Sequence, residues 1–142
     1  MSTANLLQQS FAAVAPHSES LLDFFYQTLF ERYPEVRPMF DKTDMKKQKG
    51  KLLASLALVV KHADSLQEVS LPLRRMGARH TGYGVKPEHY PAVGECLLAA
   101  LSKVAGPLWN EALAAAWSGA YQWVAGEMLQ GAEQECGASL WS

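Results

Sequence analysis

The feature that most constrains this chain is the spacing of its apolar residues, which recur every three to four positions while strict alternation is essentially absent. Such segments form helices with one apolar stripe, and those stripes must be buried against one another. Leu6, Leu7, Phe11 and Val14 predict a helix over 3–15, closed by Pro16. Ser18 is the expected cap of a second helix, which carries Leu21, Leu22, Phe25, Tyr26, Leu29 and Phe30 and ends near Tyr33. Pro34 suits the first turn of a short helix to about Phe40. Asp44 is placed to cap a helix over 45–63, with Gln48, Leu52, Leu56, Val59, Val60 and Ala63 facing inward. Ser70 is the expected cap of a helix that has Pro72 in its first turn and His80 in its last, before Gly82 and Gly84. Pro87 starts the next, which Gly106 stops, and Pro107 starts the last, with Trp117, Tyr121 and Met128 on one face. From Glu133 onward the composition suggests a fraying tail. The fold class is therefore all-α, with six long helices and one short one. A plain up-down bundle and a stack of crossed helices both satisfy the pattern.

Size and composition narrow the function. At 142 residues the chain is expected to be one domain over 1–142, with 134–142 a frayed tail. A chain of this length buries roughly two thirds of its unfolded surface, enough to enclose a cofactor. It is 49% hydrophobic with a formal net charge of −1, which points away from disorder and from a nucleic-acid partner. Cys96 and Cys136 lack the close spacing of a zinc or redox pair, and a reducing cytoplasm is the simpler setting. Neither a leader pattern nor an apolar run of about 20 residues occurs, so the expected location is cytoplasmic and away from the membrane.

The chemistry concentrates in Arg79-His80-Thr81-Gly82-Tyr83-Gly84-Val85 and in His89-Tyr90-Pro91-Ala92-Val93-Gly94, continuing to Leu97-Leu98. One helical histidine is more often a structural residue than a ligand. Here, however, an imidazole at a helix end precedes a tyrosine in the first turn of the next helix. That placement suits an axial metal ligand whose second ring nitrogen is held by a hydrogen bond.

This stretch closely resembles the proximal region of bacterial single-domain globins and of the globin domain of flavohaemoglobins, the Vitreoscilla-haemoglobin type. Phe25-Tyr26-Gln27-Thr28-Leu29-Phe30, Tyr33-Pro34-Glu35-Val36-Arg37-Pro38-Met39-Phe40 and Ala116-Trp117 with Ala120-Tyr121 extend the likeness over about residues 5–133. The resemblance implies a 3-over-3 globin fold around haem b. His80 takes the place of the proximal iron ligand, with Phe40, Leu52, Val85, Tyr90 and Val93 as further cofactor contacts. Tyr26, Gln48 and Leu52 fall at the distal, ligand-facing positions; a one-residue slip would bring Lys47 or Lys49 to the place of Gln48. On the proximal side the family's histidine–tyrosine–glutamate network maps to His80 and Tyr90, and its glutamate to Ala132, beside Glu133 and beyond Glu127.

What the resemblance implies functionally is reversible binding of dioxygen for storage or delivery, without a catalytic residue being assigned. The enzymatic alternative is a nitric oxide dioxygenase served by an unidentified reductase. Carbon monoxide would be a further ligand, and monomer and homodimer are both open. A haem-based sensor or a haem-free helical interaction module is a third possibility.

Overall fold

A computed structural model of the chain describes residues 2–82 and 86–141, with side chains described for 2–80 and 86–131. Among the described residues there are six α-helices: α1 (Thr3–Val14), α2 (Ser18–Arg32), α3 (Met45–Lys61), α4 (Ser70–Gly82), α5 (His89–Ala105) and α6 (Glu111–Trp141). Short 3-10 turns, Ala15–His17, Pro34–Phe40, Leu66–Val69 and Gly106–Leu108, join several of them.

Local chemistry explains most boundaries. The Asp44 carboxylate accepts from the backbone N–H groups of Lys46 at 3.0 Å and Lys47 at 3.3 Å, the cap expected for α3. Gly106, at φ 55°, ends α5 in a conformation that favours glycine. Pro38 lacks an N–H inside the 34–40 segment, which winds as a 3-10 turn.

Several expected boundaries move. Pro16 does not end the chain's helical path; it sits in a single 3-10 turn that leads directly into α2. Ser18 and Ser70 are not caps, because both take helical backbone angles, φ −58°, ψ −35° and φ −56°, ψ −50°, as first residues of their helices rather than the extended conformation that lets a cap oxygen reach the free N–H groups. The last helix starts at Glu111, where the Asn110 side chain accepts from the Leu113 N–H at 2.9 Å, so Pro107 belongs to the turn before it. α6 runs on to Trp141, across the segment expected to fray. Glu133, Gln134, Glu135 and Ala138 favour helix, and Gly137 alone costs only about 1 kcal/mol.

The pairing of helices is not that of an up-down bundle. α2 lies on α5, α4 lies on α6, and α1 touches both α3 and α6. A large core is built on Leu7, Leu21, Phe25, Cys96, Leu101 and Trp117. A smaller cluster, Val69, Leu73, Tyr90, Ala125 and Met128, lies under α4. Tyr121 packs against both. Buried Trp117 donates through Nε1 to Ser10 Oγ at 2.9 Å, and Ser10 passes its proton to the Leu6 carbonyl at 2.7 Å, tying α1 to α6.

α4 and α6 meet backbone to backbone. A Cβ added at Gly77 would lie 1.9 Å from the Met128 carbonyl oxygen, and one at Gly131 would lie 1.8 Å from that of Arg74. No rotamer change relieves a contact with a carbonyl. Gly77→Ala and Gly131→Ala should therefore each destabilise by about 3 kcal/mol, the upper end for overpacking. Gly119→Ala, with nothing within 4 Å of the new Cβ, should instead stabilise by about 0.5–1 kcal/mol. Urea midpoints measure both, and a well-tolerated Gly131→Ala would contradict the backbone contact.

Candidate functional site

α2 has two neighbouring aromatics at its buried face, and the second, Tyr26, is only 5% exposed. Its ring meets Phe25 edge-on at 4.8 Å and Phe40 at 5.9 Å with a 72° interplanar angle. Phe30, one turn after Tyr26, packs on Phe40 at 5.4 Å. The 3-10 turn after α2 thus folds Phe40 back onto the helix it follows, and edge-to-face geometry fixes the three rings relative to one another.

α3 supplies the polar partner of this apolar nest. Its cap at Asp44 sets the register, so that Gln48 faces α2, while Lys47 is exposed and Lys49 turns to Asp23 at 2.7 Å. Burial pushes the Tyr26 hydroxyl above the usual phenol range, and the Gln48 amide, donating to it, pulls the other way. The net shift is upward, so Tyr26 keeps its proton at neutral pH and can donate it to a third group. Leu52, the next turn of α3, packs half-buried against the same core, as does Val93 of α5. Tyr26, Phe40, Gln48 and Leu52 therefore come together.

His80 lies on α4, over the smaller cluster. Its Nδ1 is 2.7 Å from the Met76 carbonyl one turn earlier. A carbonyl only accepts, so Nδ1 carries the proton and the lone pair resides on Nε2. Burial lowers the imidazole's pKa, the Met76 hydrogen bond offsets this in part, and Arg79 adds to the lowering. The result is a neutral histidine in a fixed tautomer, the form a metal ligand requires.

Tyr90 sits in the cluster below, 7% exposed, and its backbone carbonyl accepts from the Tyr121 hydroxyl at 2.6 Å. Its own hydroxyl makes no hydrogen bond among the described residues, and burial raises its pKa. No hydrogen bond joins it to His80. Val85 and the Glu133 side chain lie outside the described residues.

The carboxylate that does reach α4 is Glu127. It accepts from Arg74 Nε at 2.7 Å and Ser70 Oγ at 2.9 Å, at the start of the helix. Sequence spacing had no means of finding this latch: Ser70 and Arg74 share a helix face, but nothing local points to a partner more than fifty residues away. The two donors, Arg74 first, hold the Glu127 carboxyl below its ordinary value of 4.5. A depressed carboxyl pKa contributes stability that is fully present above the unfolded value and is lost as pH falls through the folded one. Glu127→Gln should therefore cost about 1 kcal/mol at pH 7. The deficit relative to the parent chain should shrink as pH drops below about 4.5. Denaturant unfolding at pH 7 and 3.5 tests this, and a pH-independent deficit would refute it.

A family model described as Globin matches residues 23–128. The chain is 33% identical over 139 residues to a flavohemoprotein of Halalkalibacterium halodurans, covering 92% of this chain and 34% of that protein. It is 35% identical over 124 residues to a flavohemoprotein of Pseudomonas aeruginosa, covering 85% of this chain and 32% of that protein. The chain thus spans about a third of the length of these relatives. Among solved structures, an engineered carbene transferase from Rhodothermus marinus superposes with a TM-score of 0.85 at 34% identity, covering 99% and 96% of the two chains. A bacterial globin from Campylobacter jejuni gives 0.82 at 28% identity, covering 93% and 95%.

Proposed function

The chain belongs to the globin family, and from that premise we propose that it is a haem b protein that binds dioxygen reversibly, between the aromatic–amide nest of α2 and α3 and the histidine of α4. The observation that carries this reading is the chemistry of the donor set. α4 offers a neutral imidazole with its proton committed to Met76, and α2 offers a protonated hydroxyl backed by the Gln48 amide. Phe40, Leu52 and Val93 add partly buried apolar surface packed on the larger core. These residues fit a haem.

In that role His80 would hold the haem iron through Nε2, with the Met76 carbonyl holding its ring. Ferrous haem, when bound, supplies an iron that takes up dioxygen and shifts negative charge onto it. Tyr26, protonated, would donate a hydrogen bond to the bound gas. Gln48 acts behind it, because an amide that donates to the phenol oxygen polarises the O–H and makes it a stronger donor. Buried rings around Tyr26 exclude competing water. A hydrogen bond to a charged acceptor contributes about 1.5–3 kcal/mol, a ten- to hundredfold effect on ligand release.

A second reading is favoured by the flavohemoprotein relatives: nitric oxide dioxygenase activity, with a reductase returning the protein to the ferrous state. The same distal residues serve both, since tight retention of dioxygen is a prerequisite for its reaction with nitric oxide.

Three measurements separate these outcomes. His80→Ala should abolish the Soret band or shift it to a different ligation state, and an unchanged spectrum would remove His80 from the site. Tyr26→Phe should speed dioxygen release about ten- to hundredfold, with Gln48→Leu giving a smaller effect in the same direction. Nitric oxide consumption with a generic reductase and NADH decides between carrier and enzyme. One stoichiometric burst supports storage or delivery, and sustained turnover supports the dioxygenase.

A further inference from the structure

Five of the chain's eight lysines fall within ten residues: Lys42, Lys46, Lys47, Lys49 and Lys51. Counting Arg37 with them, and Asp41 and Asp44 against them, residues 37–51 carry six cations and two carboxylates, a formal +4. The rest of the chain, with seven cations and twelve carboxylates, carries −5. A protein that is nearly neutral overall is therefore strongly polarised, with its positive charge gathered on one segment.

The structure shows where that charge sits. Lys49 is committed to Asp23. Arg37, Lys42, Lys46, Lys47 and Lys51 are exposed, and among the described residues none has a carboxylate within ion-pair distance. Lys47 and Lys51 are one turn apart on α3 and bracket Gln48, whose amide donates to Tyr26. Arg37 lies over the Phe30 ring at 5.2 Å, and Phe30 packs on Phe40. The cations thus rim the outer edge of the aromatic–amide nest. A surface that merely needed solubility would not concentrate its lysines there and leave them unneutralised.

We propose that this rim is the docking surface for a small acidic electron-donor protein of the flavodoxin type, which returns the ferric protein to the ferrous state. The inference rests on the haem reading above. In the transfer the donor's reduced flavin loses one electron, and ferric iron gains it to become ferrous; no bond forms or breaks. An acidic face is complementary to a +4 patch. Steering of this kind raises association rates about ten- to a thousandfold at low salt. A compact partner fits better than an extended polyanion or an anionic bilayer, because either of those would meet the −5 remainder beyond the patch. The exposed large apolar side chains among the described residues, Leu71 and Leu108, lie elsewhere and give the rim no membrane anchor.

The test uses a purified acidic flavodoxin as probe. Oxidised flavodoxin titrated into isotope-labelled chain at about 20 mM salt should shift the NMR signals of Arg37, Lys42, Lys46, Lys47 and Lys51, and at about 300 mM salt the shifts should vanish. Lys47→Glu with Lys51→Glu should weaken binding at least tenfold and slow reduction of the ferric protein by reduced flavodoxin to the same degree, with the Soret band unchanged. Lys61→Glu with Lys103→Glu, the same charge change elsewhere, should leave both within about twofold. Binding is read without haem, so a chain that lacks a Soret band yet binds flavodoxin at the rim overturns the haem reading and not the docking surface. Equal binding by the Lys47/Lys51 variant, shifts mapped to another face, or tighter binding to phosphatidylglycerol vesicles than to flavodoxin would overturn the proposal.

Discussion

The contact on which the site depends is the backbone approach of α4 to α6. Helices with ordinary side chains at their crossing stay 8–10 Å apart. Gly77 and Gly131 remove the side chains at this crossing, and carbonyls of Met128 and Arg74 come into direct contact with the opposite helix. The closeness leaves α4 little freedom to translate or rotate. His80 lies one turn beyond Gly77, so its ring direction is set by a rigid backbone rather than by a flexible stem. Glu127 reinforces the arrangement by bridging to Arg74 and Ser70 at the other end of the helix.

A different kind of constraint shapes the opposite wall. Nothing there is as close as the α4–α6 crossing; the order comes from burial and ring geometry. Tyr26 is enclosed by Phe25, Phe30 and Phe40 at centroid distances of 4.8–6.0 Å, and the enclosure itself keeps its hydroxyl protonated. A polar group in such surroundings must find a partner, and Gln48 provides it. The same low-polarity shell makes any further hydrogen bond from Tyr26 stronger than it would be in water.

Much of this was legible in the sequence because helical periodicity, proline and glycine act locally. The Asp44 cap, the Gly106 stop and the inward positions Gln48 and Leu52 all follow from short-range rules. Ser18 and Ser70 misled because a serine caps a helix only from an extended backbone, and the 3-10 turn before each already winds it into helical angles. The reach of α6 to Trp141 was hidden because a glycine and polar residues near a terminus suggest fraying even where the helix persists. Gly77 and Gly131 had no local signal at all, since their role appears only when two helices from distant parts of the chain meet. The same holds for Glu127, and for the concentration of positive charge around a nest whose parts come from α2, α3 and the turn between them.

The identity of the group facing His80 Nδ1 bears on what the site can do. A carboxylate in that position would draw the ring toward imidazolate and make it a stronger donor to a metal. A backbone carbonyl is a neutral acceptor and fixes the tautomer without that push. Met76 supplies such a carbonyl, and the described α6 carboxylate near α4, Glu127, is held by Arg74 and Ser70 instead. Arg79 and burial both further disfavour charge on the ring. On the α2–α3 side, by contrast, the Gln48 amide backs the protonated Tyr26 hydroxyl. Under the proposed haem reading, such donation with a modest proximal push would stabilise a partly anionic ligand without promoting cleavage of its O–O bond. That balance suits retention of dioxygen, and it leaves any further reaction to depend on the second substrate and on how fast electrons arrive at the rim.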